Sequence, residues 1–294
     1  MTTTATVTEP RAAVRRRSGV LTRLVSTPAG LTGTVLVVLV LVAAAVGPLL
    51  APYSFAETNF SYPYQQLFTQ GFWLGTDDLG RDVLSRLLYG LRASLLVGLL
   101  AVGLAVAVGT PLGLLAGYWR PADMVISRFV DVTLAFPFLI LAVGLAAISG
   151  ASLSNAAIAL GIGFIPNVLR VVRGETMRLK QESFVKAAVA TDAPLWRILG
   201  RHILPNTLSA IIVQATVILP AAIIGESMLS FLGLGIQPPN PSLGIMLSDA
   251  QQYIYRAPSV AVLTGLTIII MCFAFNLFGD ALRDALDPNS SKGH

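Results

Sequence analysis

Residues 31–50 read LTGTVLVVLVLVAAAVGPLL. Apart from two threonines the run is Leu, Val, Ala and Gly, with Pro48 near its end and no charge anywhere. Twenty residues at 1.5 Å rise make a helix of about 30 Å, the thickness of a bilayer's hydrocarbon core. The run therefore predicts a membrane-crossing helix, ended by Pro48 and Pro52. A secretory leader is the rival reading, because residues 43–45 imitate a cleavage site. The apolar run is too long for a leader, however, and the basic stretch ahead of it (Arg11, Arg15, Arg16, Arg17, Arg23) is too extended. An uncleaved anchor is expected.

Composition extends this reading to the whole chain. Of 294 residues, 54% are hydrophobic and only 12% are charged, with a mean hydropathy of +0.74. A soluble domain carries roughly 25% charged residues. A chain this apolar is suited to lipid, which needs no polar surface to cover it. The net charge of +5 would suggest nucleic acid in a soluble protein. In a membrane protein, Lys and Arg collect in cytoplasmic loops, so membrane lipid is the expected partner and nucleic acid is not. Cys272 is the single cysteine and sits in an apolar run, where it reads as a small core residue. His202 and His294 are far apart, and no metal-ligand spacing is present. The sequence has neither a phosphate-binding G-x-x-x-x-G-K-[ST] loop nor an H-E-x-x-H pair. No catalytic constellation can be assembled, so no cofactor in this chain and no enzymatic activity are expected.

The remaining apolar runs predict five more spans, at 93–116, 124–148, 154–172, 207–229 and 259–278. Pro111, Pro137 and Pro166 are expected to kink or interrupt the second, third and fourth. Gly109, Gly113 and Gly117 stand four apart and bare one helix face, where a second helix can approach closely. The organisation is then a cytoplasmic basic tail at 1–29, a first transmembrane helix at 30–52 and an outer-face loop at 53–92. That loop is rich in aromatic residues, which favour the headgroup level, and is expected to hold interfacial helices. A five-helix core follows at 93–280, with a cytoplasmic loop at 173–206 and an outer loop at 231–258, and a cytoplasmic tail at 281–294. With the N-terminus inside, Lys and Arg number five in 1–29, two in 118–128, seven in 170–206 and two in the C-terminal tail, against four outside. This asymmetry supports six spans with both termini cytoplasmic. The fold class is an all-α polytopic membrane helix bundle.

One polar stretch stands out. Residues 185–206 read VKAAVATDAPLWRILGRHILPN. Their periodicity predicts a helix to about Thr191, a turn, and a second helix. Asp192 is suited to N-cap that second helix, and Pro194 is tolerated in its first turn. Leu195, Ile198, Leu199 and His202 fall on one face, at i, i+3, i+4 and i+7, with Arg197 and Arg201 on another. Pro205 then introduces the next span. A short basic amphipathic helix can seat in a groove of a partner or lie on the membrane surface. The pattern alone leaves both open.

This stretch resembles the "EAA" loop of ATP-binding-cassette importer permeases. In that loop Glu-Ala-Ala leads to a Gly and then to a short coupling helix ending in His-Ile-Leu-Pro-Asn. Ala187, Ala188, Arg197, His202, Ile203, Leu204, Pro205 and Asn206 match. Lys186 stands where the family has Glu, so a salt bridge made by that Glu cannot form here. Asp192 stands where the family has Gly, so the turn is either rebuilt around Asp192 and Pro194 or mildly strained. Two further segments are similar to the C-type permease of dipeptide, oligopeptide and nickel importers: LGTDDLGRDVLSRLLYG at 74–90 and SFLGLGIQPPNPSLGIML at 230–247, where Leu243 replaces a frequent Trp. The resemblance covers about 30–288.

The resemblance implies a type I importer permease in a bacterial inner membrane. It would pair with a second permease subunit as a heterodimer. An extracytoplasmic substrate-binding protein would deliver the solute, a di- or oligopeptide or something similar. Separate cytoplasmic ATPase subunits would bind the ATP and Mg. ATPase contact would fall on Lys186, Ala187, Ala188, Asp192, Trp196, Arg197, Arg201, His202, Pro205 and Asn206. Trp196 either anchors in the ATPase groove or packs back on its own subunit. A nickel-complex importer has similar permeases. A stand-alone secondary transporter or channel would be expected to show more intramembrane charge and can carry internal repeats. Glu226, with Ser227 and Ser230 beside it, is the candidate for the translocation path, because an acid at membrane depth is a functional hypothesis by default. It can equally pair with a basic residue or cap a helix. Asp77, Asp78, Arg81 and Asp82 read as turn and cap residues with local ion pairs, and Asp131 as the partner of Arg128.

Overall fold

The computed structural model describes residues 20–69 and 71–286. The basic residues from Arg11 to Arg17 and the last residues, 287–294 with His294, lie outside the described residues. Helix α1, Val20–Ser26, is followed by α2, Pro28–Leu50. Thr27 caps α2, its Oγ1 accepting the Gly30 N–H at 3.1 Å, and Pro28 stands where a missing N–H costs nothing. Helix α2 ends at Leu50, where the expected span ends, but it carries Pro48 inside rather than stopping at it. A bend at proline is cheaper than freeing a whole turn of backbone in lipid.

The outer segment after α2 holds no helix among its described residues up to Asp82, against the expected interfacial helices. It is a run of turns packed by aromatic rings, Tyr53 stacking on Phe72 with ring centres 5.3 Å apart. An ion cluster ties it down. Arg81 Nε lies 2.6 Å and Arg86 Nη1 2.8 Å from Asp77 Oδ2, and Asp249 approaches Arg86 at 3.5 Å. Burial pushes the Asp249 carboxyl above the usual carboxylate range, opposed by Arg86 and Arg81. Asp82 caps the next helix, accepting the Ser85 N–H at 2.8 Å. The local-ion-pair reading of this group holds, but it extends further, because Arg86 and Asp249 join it.

Helix α3 is Val83–Tyr118, nearly three turns longer at its start than the expected span at 93–116. Then come α4, Arg120–Ala135, and α5, Phe138–Ser149. These two meet at 92°, so the expected third span is a broken one rather than a kinked one. Helix α6, Leu153–Leu179, carries Pro166 inside without interruption, as α3 carries Pro111. After α7, Ser183–Ala190, a single helical rod runs from Leu195 to Phe231: α8, Leu195–Arg197, a π-helical turn, Ile198–Ile203, and α9, Leu204–Phe231. The outer loop at 231–258 contains a helix, α10, Leu243–Gln252, which was not expected. Its Leu243 is fully buried. Last is α11, Pro258–Leu286, which ends eight residues beyond the expected span. Among the described residues five helices are long and apolar enough to cross a membrane, or six if α4 and α5 together count as one. Asp131 pairs with Arg170 on α6 at 3.4 Å rather than with Arg128.

Helices α3 and α6 form the most extensive pairing, and α9 packs on both. The glycine stripe explains the closeness. A Cβ at Gly109 would lie 3.0 Å from Val168 Cβ, one at Gly113 2.7 Å from Val172 Cβ, and one at Gly117 2.6 Å from Thr176 Cβ. Each facing residue is four beyond the last, so two matched rows run in register over two turns. Gly113→Val is expected to destabilise the bundle by about 1–3 kcal/mol, the usual range for overpacking. Thermal melting in detergent should show a lowered midpoint, while Gly103→Ala, with nothing within 4 Å of its Cβ, leaves it unchanged.

Candidate functional site

The stretch at 185–206 folds as a short helix, a tight turn and a rod. Val185 and Ala188 of α7 are buried, as are Ile198 and Ile203 of the π-helical turn, and all four belong to the main core. Ile198 and Ile203 are five apart, and the wider π turn brings both onto the buried side. An α-helix would have placed them on different faces, which is why a face built on Leu195, Ile198, Leu199 and His202 is only partly realised. Leu195 is exposed, and Leu199 and His202 are half-buried.

The turn settles what Asp192 does. It does not cap the following helix, whose preceding residue, Pro194, makes no side-chain cap. It instead terminates α7 in the left-handed conformation, with φ of +53°. The Ala193 N–H donates to the Ala188 carbonyl at 3.2 Å and the Asp192 N–H to the Val189 carbonyl at 3.0 Å. This pair of bonds is the Schellman arrangement, in which glycine is the usual left-handed residue. The turn has the glycine geometry but carries a side chain that disfavours it.

The other side of the stretch faces outward. Lys186, Ala187, Asp192, Trp196, Arg197, Arg201, Pro205 and Asn206 are exposed, and only Ala188 of the expected contact residues is buried. Trp196 is 70% exposed, with the Arg197 guanidinium 5.3 Å from its ring centre. It does not pack back on its own subunit. The Asn206 side chain donates to the His202 carbonyl at 2.7 Å, beside Pro205, which has no N–H to offer. What the surface presents is an aromatic ring with the Arg197 guanidinium over it, and Lys186 and Arg201 exposed on the same stretch, on a backbone fixed from behind.

Glu226 lies elsewhere and is differently placed. It is fully buried within the subunit and meets hydroxyls rather than a cation. Ser230 Oγ donates to it at 2.7 Å and Ser227 Oγ lies at 3.5 Å. Ser94 of α3 and Ser242, the N-cap of α10, stand close to it. Three of these hydroxyls in turn accept backbone N–H groups of the outer loop and α10. Ser230 takes Ile236 at 3.3 Å, Ser94 takes Leu243 at 3.2 Å and Ser242 takes Ile245 at 3.2 Å. Glu226 thus anchors one relay through Ser230 to Ile236, and Ser94 and Ser242 beside it hold the start of α10. Glu226, Ser227 and Ser230 are all buried within the subunit. Ser94 and Ser242 were not singled out from the sequence, because their role depends on contacts between distant segments.

Two outcomes follow. Asp192→Gly should raise the thermal midpoint by relieving about 1 kcal/mol of backbone strain; a lowered midpoint would mean that the Asp192 side chain holds the turn. Glu226→Leu should lower the midpoint by removing the common acceptor, at about 1–3 kcal/mol for each buried donor left unpaired. In hydrogen exchange the amides of Ile236 and Leu243 should lose protection before those of α3.

Residues 109–292 match the family described as "Binding-protein-dependent transport system inner membrane component". Residues 17–66 match the N-terminal TM domain of oligopeptide transport permease C. The chain is 46% identical to the dipeptide transport system permease protein DppC of Alkalihalophilus pseudofirmus over 259 residues, 88% of this chain and 85% of that one. It is 45% identical to the glutathione transport system permease protein GsiD of Pectobacterium atrosepticum over 256 residues, 86% of this chain and 85% of that one. Among solved structures its fold is similar to the inward-facing MetNI methionine ABC transporter, with a TM-score of 0.57 at 21% identity, covering 68% of this chain and 96% of that chain. The chain belongs to the inner-membrane components of binding-protein-dependent transport systems and is a permease subunit of an ABC importer.

Proposed function

We propose that this permease subunit forms half of a translocation path for dipeptides, glutathione or similar short peptides, and that residues 185–206 receive the drive from a cytoplasmic ATPase. The observation that carries the second part is the outward-facing Trp196 and Arg197 at the head of the rod Leu195–Phe231. Aromatic and arginine side chains are the commonest anchors of protein interfaces. The ring sits on a backbone held by Val185, Ala188, Ile198 and Ile203, so it is presented rather than mobile. The substrate class rests on the peptide-transporting relatives named above, each over 40% identical.

In this reading the other half of the path is a second, different permease subunit. ATP and Mg bind to the ATPase subunits and not to this chain. A binding protein outside the membrane hands over the peptide, and both termini of this chain face the cytoplasm, in keeping with the distribution of Lys and Arg. A push on Trp196 moves a continuous rod whose far end carries Glu226 and, through Ser230 and Ile236, the outer loop. Nucleotide and peptide then bias the same two-state element from opposite sides of the membrane, which is what alternating access requires.

The subunit co-expressed with candidate partners is expected to hold an ATPase subunit through purification in detergent. Trp196→Ala with Arg197→Ala should lower peptide uptake at least tenfold, as the loss of an interface hot spot of about 2 kcal/mol implies, while the purified subunit keeps its melting midpoint. Normal uptake and normal ATP turnover in that double variant would remove the coupling assignment. A transport-active assembly of this chain alone would remove the proposal altogether.

A further inference from the structure

Asp82 caps α3 with one carboxylate oxygen and leaves the other idle. The residue is only 3% exposed. Its Oδ2 accepts both the N–H and the hydroxyl of Ser85, at 2.8 and 2.7 Å. Its Oδ1 is buried and has no hydrogen-bond partner. Among the described residues the nearby guanidinium groups are taken by other acids: Arg81 by Asp77, Asp78 and Asp249, and Arg86 by Asp77 and Asp249. A buried carboxylate oxygen is costly unless a donor or a cation meets it.

Space for one particle adjoins this residue. A cavity of about 20 Å³ is lined by Tyr53, Glu57, Asn59, Phe72, Gly80 and Asp82, which is room for one water-sized sphere. Phe72, Gly80 and Asp82 are its buried side, and the exposed Glu57 and Asn59 stand at its mouth. The backbone is folded tightly around it. The Asn59 N–H donates to the Leu79 carbonyl at 3.1 Å, and a Cβ at Gly80 would collide with the Asn59 carbonyl.

Charge decides between water and a cation. Asp77, Asp78, Asp82, Asp249 and Glu57 bring their carboxylates to this end of α3 against Arg81 and Arg86. The next cation, Arg256, stacks on Tyr64, and the excess is negative even with it counted. A water would occupy the idle oxygen and leave that excess, whereas a cation answers both. Carboxylate and amide oxygens are hard ligands. Calcium accepts irregular shells of them completed by water, while magnesium demands a near-ideal octahedron. Among the described residues no three Asp, Glu, His or Cys side chains converge. Two carboxylates, an amide and water make a weak site, of about 10⁻⁴–10⁻³ M.

We propose that Asp82, Glu57 and Asn59 form a calcium site that bolts the loop at 57–59 to the start of α3. Sequence spacing conceals it, because Glu57 and Asp82 meet only when the loop folds back. The site is independent of the reading of residues 185–206.

Thermal melting of the full chain in detergent tests this, with calcium chloride compared with EDTA and with sodium chloride at matched ionic strength. Calcium at about 3 mM is expected to raise the midpoint by about 2–4 °C. Glu57→Gln, at an exposed position, and Asp82→Asn, which keeps a good N-cap, should each need at least about tenfold more calcium for the same shift, since the site's affinity follows its charged ligands. Asp78→Asn removes the same charge from the same end without lining the cavity, and should respond as the wild type does. Terbium, a luminescent stand-in for calcium, gives a second readout: emission sensitised by Tyr53 in the cavity wall should be displaced by calcium and lost in Glu57→Gln. Three results overturn the site: a midpoint that calcium does not move, which leaves one water in the cavity; an equal shift with sodium; or an Asp78→Asn variant weakened as much as Glu57→Gln, which leaves only a diffuse acidic field. If Asp82→Asn fails to fold, Glu57→Gln and the terbium signal decide.

Discussion

Everything else in this subunit is hung on the contact between α3 and α6. In lipid, burying apolar side chains gains little, since the solvent is as apolar as the protein; close backbone approach and satisfied polar groups must do the work instead. The matched rows Gly109, Gly113, Gly117 and Val168, Val172, Thr176 supply that approach. From this pair the rest is positioned. Gly98 of α3 lies against Leu219 and Ile223 of α9, and Gly163 of α6 receives the Phe138 ring that starts α5. Ser94 of α3 reaches the backbone of α10. An added methyl on the stripe would therefore shift the frame as well as one contact.

The two ends of the frame are built differently. At the end where α3 begins, polar groups are knotted inward: Asp77 between Arg81 and Arg86, and Glu226 among serines. Buried knots of this kind fix one arrangement because breaking any strand strands a charge or a donor. At the end where α6 finishes, the ion pairs lie nearer the surface. Arg173 grips Asp123 through two bonds, one of 2.8 Å, and Arg170 holds Asp131 in the open. The exposed Trp196 belongs to this second end. One end of the frame is therefore stiff and the other adaptable.

Much of this was legible in the residues. Five of the six apolar runs lie inside long helices, and the outward face of 185–206 carries nearly all the residues the resemblance pointed to. What was not legible depends on distance. The first turns of α3 look too polar to be part of a long span, because the partner of Arg86, Asp77, lies in the preceding loop. Pro48, Pro111, Pro166 and Pro220 all stay inside helices, while Pro137 stands at a right-angled break. The ring is the same in each, and only its neighbours differ. Asp131 had a local partner in Arg128 by spacing, but the neighbouring helix offered Arg170 instead. The serines around Glu226 come from three separate segments, and no local pattern announces them.

The π-helical turn at Ile198–Ile203 has a consequence for how such subunits diverge. A π turn is an α-helix that has accommodated one extra residue. Losing that residue would return the rod to regular winding and swing everything ahead of it through about 100° around the axis, with a shortening of about 1.5 Å. Trp196 and Arg197 would then point a quarter of the compass away, while α9, Glu226 and the outer loop stayed as they are. A single codon at this junction can thus re-aim the exposed Trp196–Arg197 surface without disturbing the long helix behind it.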